Sequence, residues 1–115
     1  MNFRKVATKL AGQATTDGAG VKLKRFIGTN AISFLDPFLL LDEFKNDDPK
    51  AYMAGFPSHP HRGFETVSYM IEGRMRHGDS RGNKGLLTAG SAQWMTAARG
   101  IIHSEMPEME EGRLW

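Results

Sequence analysis

Turn chemistry recurring at short intervals constrains this 115-residue chain more than any other feature. Glu72-Gly73, Arg81-Gly82-Asn83-Lys84-Gly85, Ala89-Gly90 and Arg99-Gly100 cut the C-terminal half into short pieces. Between them the side chains alternate: over residues 65–72, Val67, Tyr69 and Ile71 share one face with Glu65, the period-2 pattern of a strand. Further upstream, residues 15–20 read as a turn, Val21 to Gly28 as a strand, and Phe38 to Phe44 as another after Asp36-Pro37. Many short strands at close intervals predict an all-β sandwich or barrel, and the length predicts one domain over residues 1–115. No internal repeat, heptad pattern or low-complexity tract breaks this reading.

Composition sets the class. Hydrophobic residues make up 40% of the chain and aromatics 10%, enough for one buried core. The longest obvious apolar run, Phe38-Leu39-Leu40-Leu41, is strand-sized and far short of the roughly 18 residues that read as a transmembrane helix. Arg4, Lys5 and Lys9 interrupt any signal-peptide core. There are no cysteines, which suits a reducing compartment and leads us to expect a cytoplasmic protein with no membrane partner. The net charge is +2, with six bases and one acid in residues 1–25. No basic stripe studded with aromatics accompanies this excess, so direct nucleic-acid binding is not expected. A basic N-terminal strand with one solvated face explains the charge. Glu105, Glu108, Glu110 and Glu111 make the C-terminal stretch acidic, and a contact between the two ends is expected.

Chemistry concentrates in two pairs, His59-Pro60-His61 and His103-Ser104-Glu105. In a strand, residues i and i+2 project to the same side. If the two strands are neighbours, three imidazoles and one carboxylate converge on a metal site with room for water or substrate. Thiolate-rich structural zinc sites are excluded by the absence of cysteine. Such a donor set suits Fe(II), Mn(II), Ni(II), Cu(II) or Zn(II). Spacing leaves the carboxylate open, since Glu65 has the same strand parity as His59 and His61. His77, before Gly78-Asp79-Ser80, reads as a surface-loop residue. Met70, Met75, Met95 and Met106 read as core fillers, with Trp94 and Met95 placed to line a cavity.

The stretch Phe56-Pro57-Ser58-His59-Pro60-His61-Arg62-Gly63-Phe64-Glu65-Thr66-Val67-Ser68-Tyr69 closely resembles the pirin family. So do Gln93-Trp94-Met95-Thr96-Ala97 and Gly100-Ile101-Ile102-His103-Ser104-Glu105-Met106-Pro107, and upstream Asp17-Gly18-Ala19-Gly20-Val21 and Asp36-Pro37-Phe38-Leu39. The resemblance implies a cupin-type β-sandwich, a double-stranded β-helix, holding one mononuclear iron by His59, His61, His103 and Glu105. It favours Glu105 over Glu65 as the carboxylate ligand and leaves Glu65 to hydrogen-bond a ligand histidine.

For function, the resemblance implies quercetin 2,3-dioxygenase activity on a flavonol with O2, with Glu105 as the catalytic base. The alternative it also implies is an iron-dependent regulatory protein that binds a transcription factor or metabolic enzyme without turnover. A third reading is a shortened, inactive relative. Pirins carry two tandem cupin domains, whereas this sequence stops at Trp115. The expectations are therefore a first cupin domain lacking its final strands, and a homodimer that replaces the second domain, with terminal strands open to exchange. Ala98 stands where the family has glycine, which places the local loop conformation in question.

Overall fold

The computed structural model describes residues 1, 3–108 and 112–115. Among them the elements are β1 (Gln13–Asp17), β2 (Val21–Ile27), β3 (Leu41–Glu43), a 3-10 turn at Pro49–Ala51, β4 (Phe56–His61), β5 (Glu65–Tyr69), β6 (Arg74–Asp79), β7 (Lys84–Thr88), β8 (Ala92–Thr96) and β9 (Ile101–Pro107). They form three sheets of order β1-β2-β3, β4-β9-β6-β7 and β5-β8, and every pairing is antiparallel. The two-stranded sheet is tied to the four-stranded one by polar side chains. This is a cupin-type β-sandwich whose sheets are not closed into a barrel. No helix among the described residues is long and apolar enough to cross a membrane.

Local sequence explains most of the elements. In β2, Val21 and Leu23 are buried while Lys22 and Lys24 are exposed, so the basic N-terminal strand has the solvated face its alternation predicts. Arg25 donates to Asp42 through Nε and Nη2, each at 2.8 Å, and to Asp17 at 2.8 Å, fastening all three strands of that sheet. The β6–β7 turn is organised by Asp79, whose Oδ1 accepts from the Arg81 and Asn83 amides at 2.8 and 3.0 Å. This is the local side-chain capping that makes aspartate a turn residue. Proline occurs twice in β4, and β4 lies at the sheet edge, where a missing N–H leaves no partner unsatisfied.

The core holds Val21, Tyr52, Met70, Met75, Leu87 and Leu114, with Phe44 and Phe56 against it. Leu114 reaches it because the last residues are strapped down. Asn46 and Leu114 exchange backbone hydrogen bonds at 3.1 Å, and the Ile71 amide donates to the Trp115 carbonyl at 2.7 Å. Tyr52 Oη donates to the Gly112 carbonyl at 2.7 Å, which satisfies its buried hydroxyl.

Several expectations are corrected. Residues 15–17 belong to β1, and only residues 18–20 turn. The strand expected over Phe38–Phe44 is confined to Leu41–Glu43. Leu35 and Phe38 bond each other's backbones at 2.6 and 2.8 Å around Pro37, and that tight turn consumes the hydrogen bonds a strand would need. Met70, Met75 and Met95 are buried, but Met106 is 37% exposed, because β9 alternation turns it away from His103 and Glu105. Among the described acids of the C-terminal stretch, Glu105 bonds Ser68 and Glu108 pairs with Arg76 at 2.6 Å, rather than with the basic N-terminal segment. Glu110 and Glu111 lie outside the described residues.

Ala98 keeps the conformation glycine would favour, with φ +45°, and its carbonyl accepts from the Gly63 amide at 2.8 Å. A left-handed backbone costs an L-residue roughly 1–2 kcal/mol, partly offset by the roughly 0.5–1 kcal/mol greater entropy loss of glycine. Ala98→Gly is therefore expected to stabilise the fold by up to about 1 kcal/mol, read as a higher urea midpoint. A lower midpoint would show that Ala98 carries no net strain.

Candidate metal centre

β9 lies between β4 and β6, and that order brings the histidines together. His59 stands directly opposite His103, and His61 opposite Ile101, so both imidazoles of β4 share the face of His103. The register shifts between Phe56 and His59, a bulge of the kind that re-aims side chains beside functional sites. His103 Nε2 lies 2.9 Å from His59 Nε2 and 3.0 Å from His61 Nε2. The rings meet edge to face, with centroids 4.4 to 4.8 Å apart. Phe64 closes one side, edge-on to His61 at 5.2 Å. These three residues form a cluster able to hold a divalent cation.

The protonation chemistry fits a cation. His59 Nδ1 lies 2.7 Å from the Pro57 carbonyl. A carbonyl oxygen only accepts, so Nδ1 carries the hydrogen and Nε2 turns its lone pair to the cluster, the usual orientation of a ligand imidazole. Burial holds His61 below the usual histidine range, with the neighbouring His59 adding to the effect and Glu105 opposing it. Burial also lowers His103, opposed by Glu105 and reinforced by His59 and His61. Neutral imidazole is the form that binds metals. His103 is 2% exposed and its Nδ1 has no hydrogen-bond partner, so Nε2 is its whole polar engagement. His103 Nε2 faces both other Nε2 atoms and can donate its one hydrogen to only one of them, whereas a single cation would engage all three as neutral imidazoles.

The two carboxylates are treated differently. Glu105 stands on the same side of β9 as His103, and its Oε2 is 4.0 Å from His103 Nε2. It therefore sits farther from His103 Nε2 than the other two imidazole nitrogens do. Its Oε1 accepts from Ser68 Oγ at 2.7 Å. Glu65 does not approach the histidines: its carboxylate accepts from Trp94 Nε1 and Thr96 Oγ1, each at 2.9 Å, on the exposed face of the β5–β8 sheet. The expectation that it would hydrogen-bond a ligand histidine is thus corrected. Strand parity carries from His61 to Glu65 only through a continuous strand, and Arg62-Gly63-Phe64 interrupts it, with Gly63 at φ +83°.

His77 is also corrected. It lies within β6, opposite Glu105, with Nδ1 accepting from Gln93 Nε2 at 2.8 Å. Its ring lies over Gly85, where a Cβ would meet Nε2 at 2.6 Å. A cavity of about 230 Å³ adjoins this pair, bordered by Asp79, Trp94, Met95 and Ile101 as well, so Trp94 and Met95 line a cavity, although β8 pairs with β5 and not with the histidine-bearing strands. Ser68 and Gln93 were not singled out from the sequence. The signal for Ser68 lies in the alternation of β5, where Thr66 and Ser68 are the less exposed residues and Glu65, Val67 and Tyr69 the exposed ones, and that for Gln93 in β8, where Gln93 and Met95 alternate with the exposed Ala92, Trp94 and Thr96. The inward face is polar because it meets Glu105.

Comparison with known proteins agrees with this geometry. The model of the family described as Pirin matches residues 20–115. A Pseudomonas aeruginosa protein provisionally named quercetin 2,3-dioxygenase is 60% identical over 112 residues, covering 97% of this chain and 39% of that protein. A pirin-like protein of Caulobacter vibrioides is 55% identical over 114 residues, covering 99% of this chain and 41% of its own length. The crystal structure of quercetin 2,3-dioxygenase from Acinetobacter baumannii superposes with a TM-score of 0.75 at 34% identity, over 91% of this chain and 39% of that one. The chain thus spans about two fifths of the length of these relatives. With the histidine cluster, the sandwich and a match over most of its length in agreement, the chain belongs to the pirin family.

Proposed function

We propose that this chain forms the metal-binding part of a dioxygenase that acts on a flavonol with O2. One divalent ion, Fe(II), would be held by His59, His61, His103 and Glu105. The observation that carries the reading is the convergence of the three Nε2 atoms beside Glu105. Relatives named quercetin 2,3-dioxygenase support the substrate class. The bound ion would supply Lewis acidity, lowering the pKa of a flavonol 3-hydroxyl and favouring its anionic form. The protein's part is positional and acid–base. Glu105, 12% exposed and held by Ser68, is placed to accept the hydroxyl proton. Phe64 shields His61 from one side. Anaerobic loading with Fe(II), followed by quercetin and air, tests this. Joint consumption of flavonol and oxygen is expected, and metal-loaded protein that consumes neither overturns the activity.

A second reading, a metal-dependent binding protein, rests on the outward face of the β5–β8 sheet. Val67, Tyr69 and Trp94 are 53%, 61% and 70% exposed there, and cross-strand pairing of Val67 with Trp94 makes the patch contiguous. Such a patch favours association. In this reading it takes a partner protein, a transcription factor or metabolic enzyme, without turnover; the expected homodimer would bury the same patch against a second copy of the chain. Light scattering coupled to size exclusion at micromolar concentration is expected to give twice the mass of one chain, and the mass of a single chain overturns the pairing.

A further inference from the structure

We infer that Ser68 is the positioning residue that makes Glu105 the carboxylate of the metal centre. The inference rests on the metal reading proposed above and adds a determinant outside the histidine and glutamate motifs. Ser68 lies on β5 and Glu105 on β9, in different sheets, and Ser68 Oγ donates to Glu105 Oε1 at 2.7 Å. A glutamate has three rotatable bonds, and its carboxylate can swing away from the histidines unless one oxygen is held. With Oε1 anchored across the sandwich, Oε2 is the oxygen left on the His103 side, 4.0 Å from Nε2. The hydroxyl is the right donor because its hydrogen rotates to meet the acceptor and it brings no competing charge.

The same strand explains why Glu65 is unavailable. Ser68 faces inward on β5 because Glu65 faces outward, with Trp94 and Thr96 as its partners. One strand parity thus selects both the carboxylate that is kept and the one that is excluded. Outer partners that orient metal ligands are typically worth 10–100-fold in affinity.

The test measures Ni(II) affinity of the purified chain by competition with a chromogenic chelator, so it needs no turnover. Ser68→Ala is expected to weaken Ni(II) binding about tenfold or more, and Ser68→Thr, which keeps the hydroxyl, is expected to restore most of it. In a Glu105→Ala background, adding Ser68→Ala is expected to change affinity by less than about twofold, since the two act as one unit. Circular dichroism of the metal-free variants is expected to match the unaltered chain. If Ser68→Ala binds Ni(II) as the unaltered chain does, or if its effect is the same with and without Glu105, the positioning role is overturned while the metal centre stands. If the unaltered chain takes up no Ni(II), the metal reading itself is overturned, and the role of Ser68 with it.

Discussion

Replacing His103 with alanine is expected to remove most of the divalent-metal affinity, by more than the roughly 10–100-fold that loss of an outer hydrogen-bond partner costs. His103 is the hinge of the cluster: both other imidazoles approach its Nε2, at 2.9 and 3.0 Å. It is also the buried member, 2% exposed, so water cannot readily take its place. Its loss leaves two imidazoles of a single edge strand and a carboxylate at the margin. Because truncating a buried ring also opens a cavity, typically costing about 2–5 kcal/mol, His59→Ala is the companion variant. His59 is only half-buried, so its removal deletes a ligand with less disturbance of the core. Elemental analysis after loading and desalting reads both variants, with thermal unfolding of the metal-free proteins as the check on folding. Full metal occupancy in both would sink the ligand assignment.

Glu105→Gln is expected to lower flavonol turnover by on the order of 10²-fold or more, through loss of a positioned base. The substitution is nearly isosteric, and the amide oxygen can still accept the Ser68 hydroxyl, so the change reports the charge and basicity of Glu105 rather than its placement. Metal content measured alongside separates weakened loading from a slowed proton transfer. Glu65→Gln serves as the comparison. Its carboxylate is occupied by Trp94 and Thr96 on the outer face, and turnover within about twofold of the unaltered protein is expected, as for surface substitutions away from special features. If Glu65→Gln proves the more damaging of the two, the carboxylate roles have been assigned the wrong way round.

How far these sites could be read from the chain depended on distance along it. His59 and His61 share a face because they sit two apart in one strand, and His103 and Glu105 share one for the same reason. That rule is local and held within each element. It failed at Glu65, because the turn at residues 62–64 resets the alternation between β4 and β5. It also failed at His77, where the tripeptide Gly78-Asp79-Ser80 looks like a loop, yet Gly78 and Asp79 pair with Ser104 and His103 inside the sheet. The apolar run from Phe38 to Leu41 was strand-like in composition but stays half exposed, since strand propensity counts only where a neighbouring strand supplies partners.

The sequence by itself determined the all-β class and the histidine pairs, because glycine punctuation, period-2 alternation and i,i+2 spacing are properties of short segments, and its motifs carried the resemblance to the pirin family. The tertiary structure alone decided that β9 lies between β4 and β6. It alone decided that Ser68 crosses from the opposite sheet to hold Glu105, that Glu65 belongs to the outer face, and that residues 114 and 115 close the core. Each of these depends on which distant segments become neighbours. That choice is set by the burial and hydrogen bonding of the whole chain at once, and no local pattern encodes it.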